Sequence, residues 1–334
     1  MNNSALPSAI GHWLLAICHL PSSAATSPRW LILRLAVALG LCGACVAQAQ
    51  VNQPGPGQLA FSASGTNEFA FNTGVLKGKL RAGGKSTGLS SVVHLPTGVS
   101  LDSSKGLFGH YRVFSANKRY GTAAWDWPSD ATLRQDGSVE VRWPSAEDRP
   151  FELHAVYRWA APNILDLETR VLAKTNLAKF ESFLGSYFSD GFTNSCVCVR
   201  ANGFQCFKRA DRSAGIWQAF PRDDEAVSII QDGRWKFPPS PVDWVIGPRL
   251  AKPLGARLCP ANDLRALVMS PPQDCFAVLT PYGAEPHRSM YLSLFGQDLK
   301  AGETARARAR LVIGTNLSGE TLDNLYSTYL RQSR

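Results

Sequence analysis

A short stretch of the chain, residues 109–128, concentrates side chains that could act on a ligand. It holds one histidine, one carboxylate, three cations and four tyrosine or tryptophan rings. The residues to which we assign a role are His110, Arg112, Arg119, Tyr120, Trp125, Asp126 and Trp127. Sugar sites use aromatic faces for the apolar face of a pyranose and polar groups for its hydroxyls. The composition of this stretch therefore predicts a carbohydrate site.

Within that stretch, two arginines and three rings are predicted to bind the ligand. Arg112 and Arg119 could hold a carboxylate or a sulfate in the fork geometry of the guanidinium group. The rings of Tyr120, Trp125 and Trp127 would supply the stacking surfaces. The alternative stays open, because aromatic residues in β domains mostly pack in the core and arginines often stack on rings at the surface.

A catalytic role is the second hypothesis for the same region. His110 could act as a general base, because a histidine with its ordinary pKa of ~6.5 titrates near neutral pH. Asp126 could pair with Glu147, which follows in a loop, since glycoside hydrolysis needs two carboxylates that flank the bond. An acidic loop is also typical of plain solvated surface. The pattern does not decide whether the protein is an enzyme.

Three further arginines form the clearest charge pattern. Arg306, Arg308 and Arg310 alternate with alanines, so in a strand they would share one face. This arrangement suits a polyanion such as a uronate or sulfated glycan, and the net charge of +9 favours acidic partners. The alternative is an exposed sheet face that is charged against aggregation.

Other sites have weak support or none. The chain shows no glycine-rich phosphate loop, zinc-protease motif or calcium loop, and no nucleic-acid-binding module. We expect no cofactor, no metal and no nucleic-acid partner. One alternative is a soft-metal set at Cys196, Cys198 and Cys206, although the spacing matches no common zinc site.

The first 49 residues predict a secretory signal. They contain no Asp, Glu or Lys, and Arg29 and Arg34 precede an apolar run that ends in Ala47-Gln48-Ala49. We expect cleavage after Ala49, a secreted or periplasmic protein, and contact with the membrane only during export. An uncleaved anchor is the alternative. Residues 50–67 are rich in Gln, Gly, Pro and Ser and predict a flexible linker.

The remaining residues, 68–334, predict one large all-β domain with a short C-terminal helix. Apolar and polar residues alternate over 138–143, 151–159 and 165–171, with short links, which is typical of an antiparallel meander. Similar segments follow between 266 and 313. Only residues 318–332 repeat at three and four, which indicates an amphipathic helix.

Two features of this domain leave alternatives open. The segment 231–263 holds six prolines, which predict irregular structure over much of its length and either a wall of a cleft or a clamp over a sheet edge. Five cysteines follow the signal. They are Cys196, Cys198, Cys206, Cys259 and Cys275. In an oxidising compartment some could form disulfides, while the odd number leaves at least one free or paired between chains.

The strand pattern resembles that of galactose-mutarotase-like β-supersandwich proteins. Residues 157–159 and 165–171 look like their paired central strands, and residues 291–296 and 310–313 like their closing strands. The resemblance implies a large, twisted antiparallel two-sheet fold with a carbohydrate cleft on a concave face. Its members include sugar epimerases and non-catalytic domains of polysaccharide-degrading enzymes.

One departure limits what this resemblance implies. Aldose epimerases of this type carry an Asn-His-aromatic motif, whereas the corresponding region here reads Thr193-Asn194-Ser195-Cys196 without histidine. No catalytic residue is therefore carried over. The sequence favours an exported glycan-binding or accessory protein with a preference for acidic sugars. The alternatives are a polysaccharide hydrolase or lyase or an epimerase-like enzyme that uses His110, Asp126 and Glu147, and a structural envelope protein without chemistry.

Overall fold

The computed structural model describes residues 57–116 and 118–332, so the predicted signal at 1–49 lies outside the described residues. Strands and helices are numbered in chain order. The first eleven strands are β1 (Phe61–Gly65), β2 (Glu68–Asn72), β3 (Leu76–Arg81), β4 (Gly88–His94), β5 (Val99–Ser100), β6 (Gly109–Ser115), β7 (Lys118–Arg119), β8 (Asp130–Leu133), β9 (Val139–Trp143), β10 (Phe151–Ala161) and β11 (Ile164–Ala173). The other strands are β12 (Leu177–Tyr187), β13 (Asn194–Ala201), β14 (Phe204–Arg209), β15 (Trp217–Pro221), β16 (Val245–Ile246), β17 (Leu250–Cys259), β18 (Leu264–Met269), β19 (Cys275–Pro281), β20 (Ser289–Leu299) and β21 (Thr304–Thr315). Within the described residues, the two α-helices are α1 (Asp224–Ile230) and α2 (Gly319–Gln332).

These strands form three sheets. Strands β1 to β5 pair in chain order in the first. The second has nine strands in the order β14-β13-β17-β18-β21-β11-β10-β9-β8, and the third has seven in the order β16-β15-β19-β20-β12-β6-β7. All neighbours pair antiparallel except β15 and β16. The predicted all-β class with a short C-terminal helix is confirmed.

The main core lies between the nine-stranded and seven-stranded sheets. Alternate side chains of both sheets and of the five-stranded sheet meet in one apolar cluster, as the meander strands illustrate. In β9, Val139, Val141 and Trp143 are buried while Arg142 is exposed. The predicted meander is confirmed, because β9, β10 and β11 are consecutive neighbours in the sheet.

The start of the domain differs from the prediction. Strand β1 lies within residues 50–67, which the sequence predicts as a linker. Phe61 is buried there, with its ring centroid 5.9 Å from that of Trp159. A five-residue strand with a single large apolar side chain leaves little signal in a segment rich in Gly and Ser.

The turn at residues 270–274 does not close a hairpin within one sheet. Strand β18 before it belongs to the nine-stranded sheet, and β19 after it belongs to the seven-stranded sheet. Strands β20 and β21 are divided in the same way. The chain thus crosses repeatedly between the layers, which alternation alone does not reveal because either partner sheet buries one face of a strand.

The proline-rich segment is more regular than predicted. Strand β17 runs through Pro253 and pairs with β13 and β18. The register with β13 shifts between Val197 and Val199, so Pro253 lies at an irregularity where its missing N–H breaks no ladder bond. Residues 231–244, here called the strap, lie over the outer face of the seven-stranded sheet, where Trp235, Val242 and Trp244 join its apolar cluster.

Helix α2 packs on the outer face of the nine-stranded sheet. Leu322, Tyr326 and Tyr329 are buried in a cluster with residues of that sheet. The hydroxyl of Ser318 accepts a hydrogen bond from the amide of Thr321 at 3.3 Å and caps the helix. In the described part of the chain, neither helix is long and apolar enough to cross a membrane.

Candidate functional site

The outer face of the seven-stranded sheet carries a continuous layer of aromatic rings, here called the aromatic face. Its rings belong to Tyr111, Trp125, Phe183, Tyr187, Trp217, Trp235, Trp244 and Tyr291. The strap contributes Trp235 and Trp244, and strands contribute most of the others. Tyr111, Trp125, Trp217 and Trp244 are only half-buried.

A β-bulge in β6 shapes one end of this face. Phe183 of β12 pairs with Arg112 and Leu184 with His110, so Tyr111 is the extra residue. A bulge places two successive side chains on one side of the strand. Tyr111 and Arg112 therefore both project outward, while His110 points into the core between the sheets.

Arg112 is buried among rings rather than beside an acid. It is only 3% exposed, and its Cζ lies 5.0 Å from the ring centroid of Tyr111 and 5.2 Å from that of Trp235. Its Nη2 donates to the carbonyl of Ser240 at 2.8 Å. Its Nε and Nη1 have no hydrogen-bond partner among the described residues. Burying the donors of a charged group without hydrogen-bond partners costs free energy. These two nitrogens are therefore candidates to bind an anion.

Arg119 adds a second positive charge near Arg112. Its Nη1 donates to the carbonyl of Pro239 at 2.7 Å, and its Nη2 to that of Thr122. Burial and the positive charge of Arg112 lower the pKa of Arg119. Since like charges repel, a bound carboxylate or sulfate between them would relieve a real electrostatic penalty.

Two aromatic rings complete this end of the face. The rings of Tyr111 and Trp125 are stacked, with centroids 4.3 Å apart and an interplanar angle of 7°. Lys105 places its Nζ 5.1 Å from the ring centroid of Tyr187. Arg112, Arg119 and Trp125, three of the five residues predicted to bind ligand, thus lie in one neighbourhood with Tyr111.

The other two predicted ligand residues lie elsewhere. Tyr120 is 3% exposed, donates to or accepts from Ser115 at 2.7 Å, and packs edge-on against Phe151. Trp127 is buried against the same phenylalanine, with Arg149 over its ring. Both side chains face the main core, so they offer no surface to a ligand of the aromatic face.

The three residues predicted to be catalytic do not form one site. His110 is fully buried, with Nδ1 2.8 Å from Ser182 Oγ and Nε2 3.1 Å from Thr169 Oγ1. Desolvation lowers the pKa of His110 to about 3, so the ring is neutral at pH 7. Asp126 and Glu147 are both exposed, outside the core that holds His110. This geometry argues against the predicted base, because a buried imidazole with both nitrogens occupied cannot reach a substrate.

The arginine pattern of β21 lies on the outer face of the nine-stranded sheet and is largely neutralised. Arg310 forms a two-pronged pair with Asp166 at 2.6 and 2.9 Å, and Arg308 pairs with Asp274 at 2.8 Å. Arg306 contacts Glu168 at 2.5 Å. Arg306 and Arg308, together with Asp166 and Glu168, line a cavity of about 330 Å³ beside α2. The alternative of a charged sheet face fits these pairs.

A Glu–His pair at the opposite end of the aromatic face escaped the sequence analysis. Glu285 is nearly buried and accepts from His287 twice, from the amide and from Nδ1, both at 2.8 Å. The His287 ring lies 5.4 Å from that of Trp217. The spacing Glu-x-His in a loop was the only available signal, and it is too common to single out.

Among the described residues, neither the cysteines nor a group of metal-binding side chains forms a further candidate site. The five cysteines among the described residues are all free thiols, so no disulfide joins these residues. Burial raises the pKa of Cys198 to about 11 and that of Cys275 to about 12. Within residues 57–116 and 118–332, no three His, Cys, Asp or Glu side chains are grouped to hold a metal ion.

Comparisons with known proteins show a fold and no close relative. No protein-family model matches the chain. No curated protein matches it in sequence either. Among solved structures, the Slr1438 protein from Synechocystis sp. PCC 6803 is similar at a TM-score of 0.50 with 10% identity, covering 78% of this chain and 99% of that one. At this identity the likeness concerns the fold alone.

Two further structures carry names that concern sugars. A galactose mutarotase-like protein from Lactobacillus casei is similar at a TM-score of 0.48 with 10% identity, covering 74% of this chain and 100% of that one. A putative aldose 1-epimerase from Escherichia coli K12 is similar at 0.45 with 10% identity, covering 75% and 100%. The structural neighbours thus include galactose mutarotase-like and aldose epimerase-like proteins. The resemblance predicted from the strand pattern is thereby confirmed.

Proposed function

We propose that this protein is an exported carbohydrate-binding protein that recognises an acidic sugar on the aromatic face. The observation that carries the proposal is Arg112, a 3% exposed guanidinium with two unpartnered donor nitrogens and no ion pair within the described part of the chain. A uronate carboxylate or a sulfate would supply the missing acceptors once the covering residues Trp235 and Ser240 move aside, because both donor atoms are buried beneath them. The names of two structural neighbours, which concern sugars, are compatible with this assignment.

The surroundings of Arg112 suit a sugar better than a small inorganic anion. The half-buried rings of Tyr111 and Trp125 offer apolar surface next to the guanidinium. A pyranose could pack one face on such rings while its carboxylate reaches Arg112. The charge of Arg119 would strengthen the attraction in a partly desolvated site.

Binding is favoured over catalysis. Among the contacts of the described residues no carboxylate or imidazole adjoins Arg112; its polar side-chain neighbour is the Tyr111 hydroxyl, which accepts from Nη2 at 3.3 Å, and His110 points to the other side of β6. A hydrolase, a lyase or an epimerase would need such groups within hydrogen-bond reach of the sugar. Export itself is supported by the basic and apolar pattern of residues 1–49 alone.

Calorimetric titration with a uronide oligosaccharide and a neutral one of equal length tests this function. We expect the wild type to bind the uronide more tightly, and Arg112→Gln to lose about tenfold to a hundredfold, as for a lost hydrogen bond to a charged group. Arg112→Lys should recover little, because an ammonium lacks the planar fork.

The matched control is Arg142→Gln, which removes an exposed arginine that pairs with Glu152 on the nine-stranded sheet. Its affinity should equal that of the wild type. Binding of neither oligosaccharide to the wild type would overturn the proposal and favour the structural envelope protein. Equal losses in both variants would mean that only net charge matters.

A further inference from the structure

A second surface of the aromatic face lies at the edge of the seven-stranded sheet, near the end of the face opposite to Trp125. Trp217 is half-buried at the start of β15, and its ring packs edge-on against that of Trp244, with centroids 5.9 Å apart. Ile216 and Val245, beside these tryptophans in the chain, are exposed by 48% and 46%. Large apolar side chains left open beside an aromatic ring are unusual on a soluble surface and indicate a contact site.

Polar groups border this surface in a fixed arrangement. The two carboxylate oxygens of Glu285 accept from the amide and Nδ1 of His287, which fixes the imidazole and leaves Nε2 on the far side of the ring. The His287 side chain is 44% exposed. Nε2 has no hydrogen-bond partner among the described residues. A ring face next to an oriented hydrogen-bonding nitrogen is the combination that a sugar ring requires.

A chain of ring contacts joins this surface to the Arg112 site. Trp244 contacts Tyr291 at 6.3 Å, and Tyr291 contacts Tyr187 at 5.6 Å. Tyr187 in turn contacts Tyr111, with ring centroids 6.3 Å apart. The two half-open surfaces therefore belong to one side of one sheet. Tyr187 and Tyr291 between them are buried, so a ligand that reached both surfaces would pass over covered rings.

From this arrangement we infer that Trp217 and His287 form a second sugar subsite, so that the aromatic face binds an extended acidic oligosaccharide rather than a single sugar. The inference rests on the proposed function of the Arg112 site. One end of the chain would place its carboxylate at Arg112, and a sugar several units away would pack on Trp217 and hydrogen bond to His287 Nε2.

A protein partner fits the same surface less well. The exposed apolar residues are few and lie at the edge strand β16, whereas stable protein interfaces bury about 800 Å² on each partner. Continuity with a cationic site and the held imidazole favour a polar, chain-like ligand. If this surface bound a protein instead, the affinity of the chain for oligouronides would not depend on their length. A titration against oligouronide length therefore distinguishes a sugar subsite from a protein docking site.

The experiment is a calorimetric titration of the whole protein with oligouronides of increasing length, from the monosaccharide upward. For the wild type we expect affinity to rise with length and then level off once the chain reaches both sites. Trp217→Ala should leave binding of the monosaccharide unchanged and lower the affinity for the longest oligomer about fivefold to tenfold, as for a lost ring contact. His287→Ala should lower the same affinity.

Phe204→Ala is the matched control, since Phe204 is an aromatic side chain exposed by 77% on the β13–β14 hairpin. It should not change any affinity. If the wild type binds the monosaccharide and all longer oligomers equally, or if Trp217→Ala leaves every affinity unchanged, the second subsite is refuted while the Arg112 site stands. If no oligouronide binds, the proposed function itself fails.

Discussion

Arg234 and Glu181 form an ion pair in which neither side chain has appreciable solvent contact. Nη1 of Arg234 lies 2.9 Å from Oε2 of Glu181, with side chains exposed by 0% and 1%. Arg234 lies near the start of the strap, and Glu181 lies in β12 on the outer side of the sheet. The pair therefore fastens the strap, with Trp235 and Trp244, over the aromatic face.

Breaking this pair should destabilise the protein strongly. Arg234→Ala leaves Glu181 buried without its cation, and such losses cost about 3–5 kcal/mol. Ser293 would still donate to Glu181 at 2.7 Å, which limits the loss. Urea unfolding measures the change in free energy. Arg158→Ala, which removes an exposed pair with Asp136, should cost less than about 1 kcal/mol. Similar losses for the two variants would contradict this account of the strap.

His110 should make the fold sensitive to mild acid. Its pKa falls to about 3 in the folded protein, because burial disfavours the charged ring, while the unfolded chain retains an ordinary value of ~6.5. The unfolded state thus binds a proton first as pH falls. The stability contributed by the neutral ring is present above ~6.5 and is lost progressively toward pH 3.

The measurement is the free energy of unfolding at pH 7 and pH 5 for the wild type and for His110→Gln. Between these values the histidine alone should cost the wild type about 2 kcal/mol, and the variant should lack this term. Because His94 and the carboxylates titrate in both proteins, the difference between them isolates His110. An identical pH dependence would show that the ring is accessible to protons in the folded state.

The directions of the side chains of residues 110–112 could not be predicted from the sequence. Alternation predicted the strands β9, β10 and β11 correctly, because a regular ladder places every second side chain in the core. In β6 the extra residue Tyr111 breaks that rule and sends Arg112 outward. A bulge leaves no mark in composition, so no reading of the sequence could have separated His110 from Arg112.

The rest of the site depends on contacts between residues far apart in the chain, which the sequence alone does not predict. Arg112, Arg119 and Trp125 were found because they are close in the chain, whereas the strap contributes Trp235 and Ser240 from more than a hundred residues away. From the sequence, Tyr120 was as suitable as Trp125 for stacking against a ligand, but its side chain packs in the main core. Proximity in the sequence thus identified residues that lie near the site, but it did not predict which side of the sheet each side chain faces.

Thiol reactivity should follow burial. In the native protein a thiol reagent should modify Cys206 first, because it is exposed, and Cys275 only after unfolding, because it is fully buried and burial raises its pKa to about 12. Peptide mapping by mass spectrometry identifies the modified residue, and Cys206→Ser serves as the control. Rapid modification of Cys275 would contradict its placement. A disulfide between any two of the five cysteines among the described residues would contradict the free thiols of this structure.

The arginines of β21 provide the last test, because they form the rival surface for an acidic glycan. Each already contacts a carboxylate of the sheet or its turn, so a polyanion would have to displace a protein partner before it gained one. At Arg112 no such exchange is needed. We therefore expect Arg306→Gln to bind a long oligouronide with an affinity within about twofold of the wild type at low salt, where exposed charges act most strongly. A tenfold loss in calorimetry would instead locate glycan binding on the nine-stranded sheet.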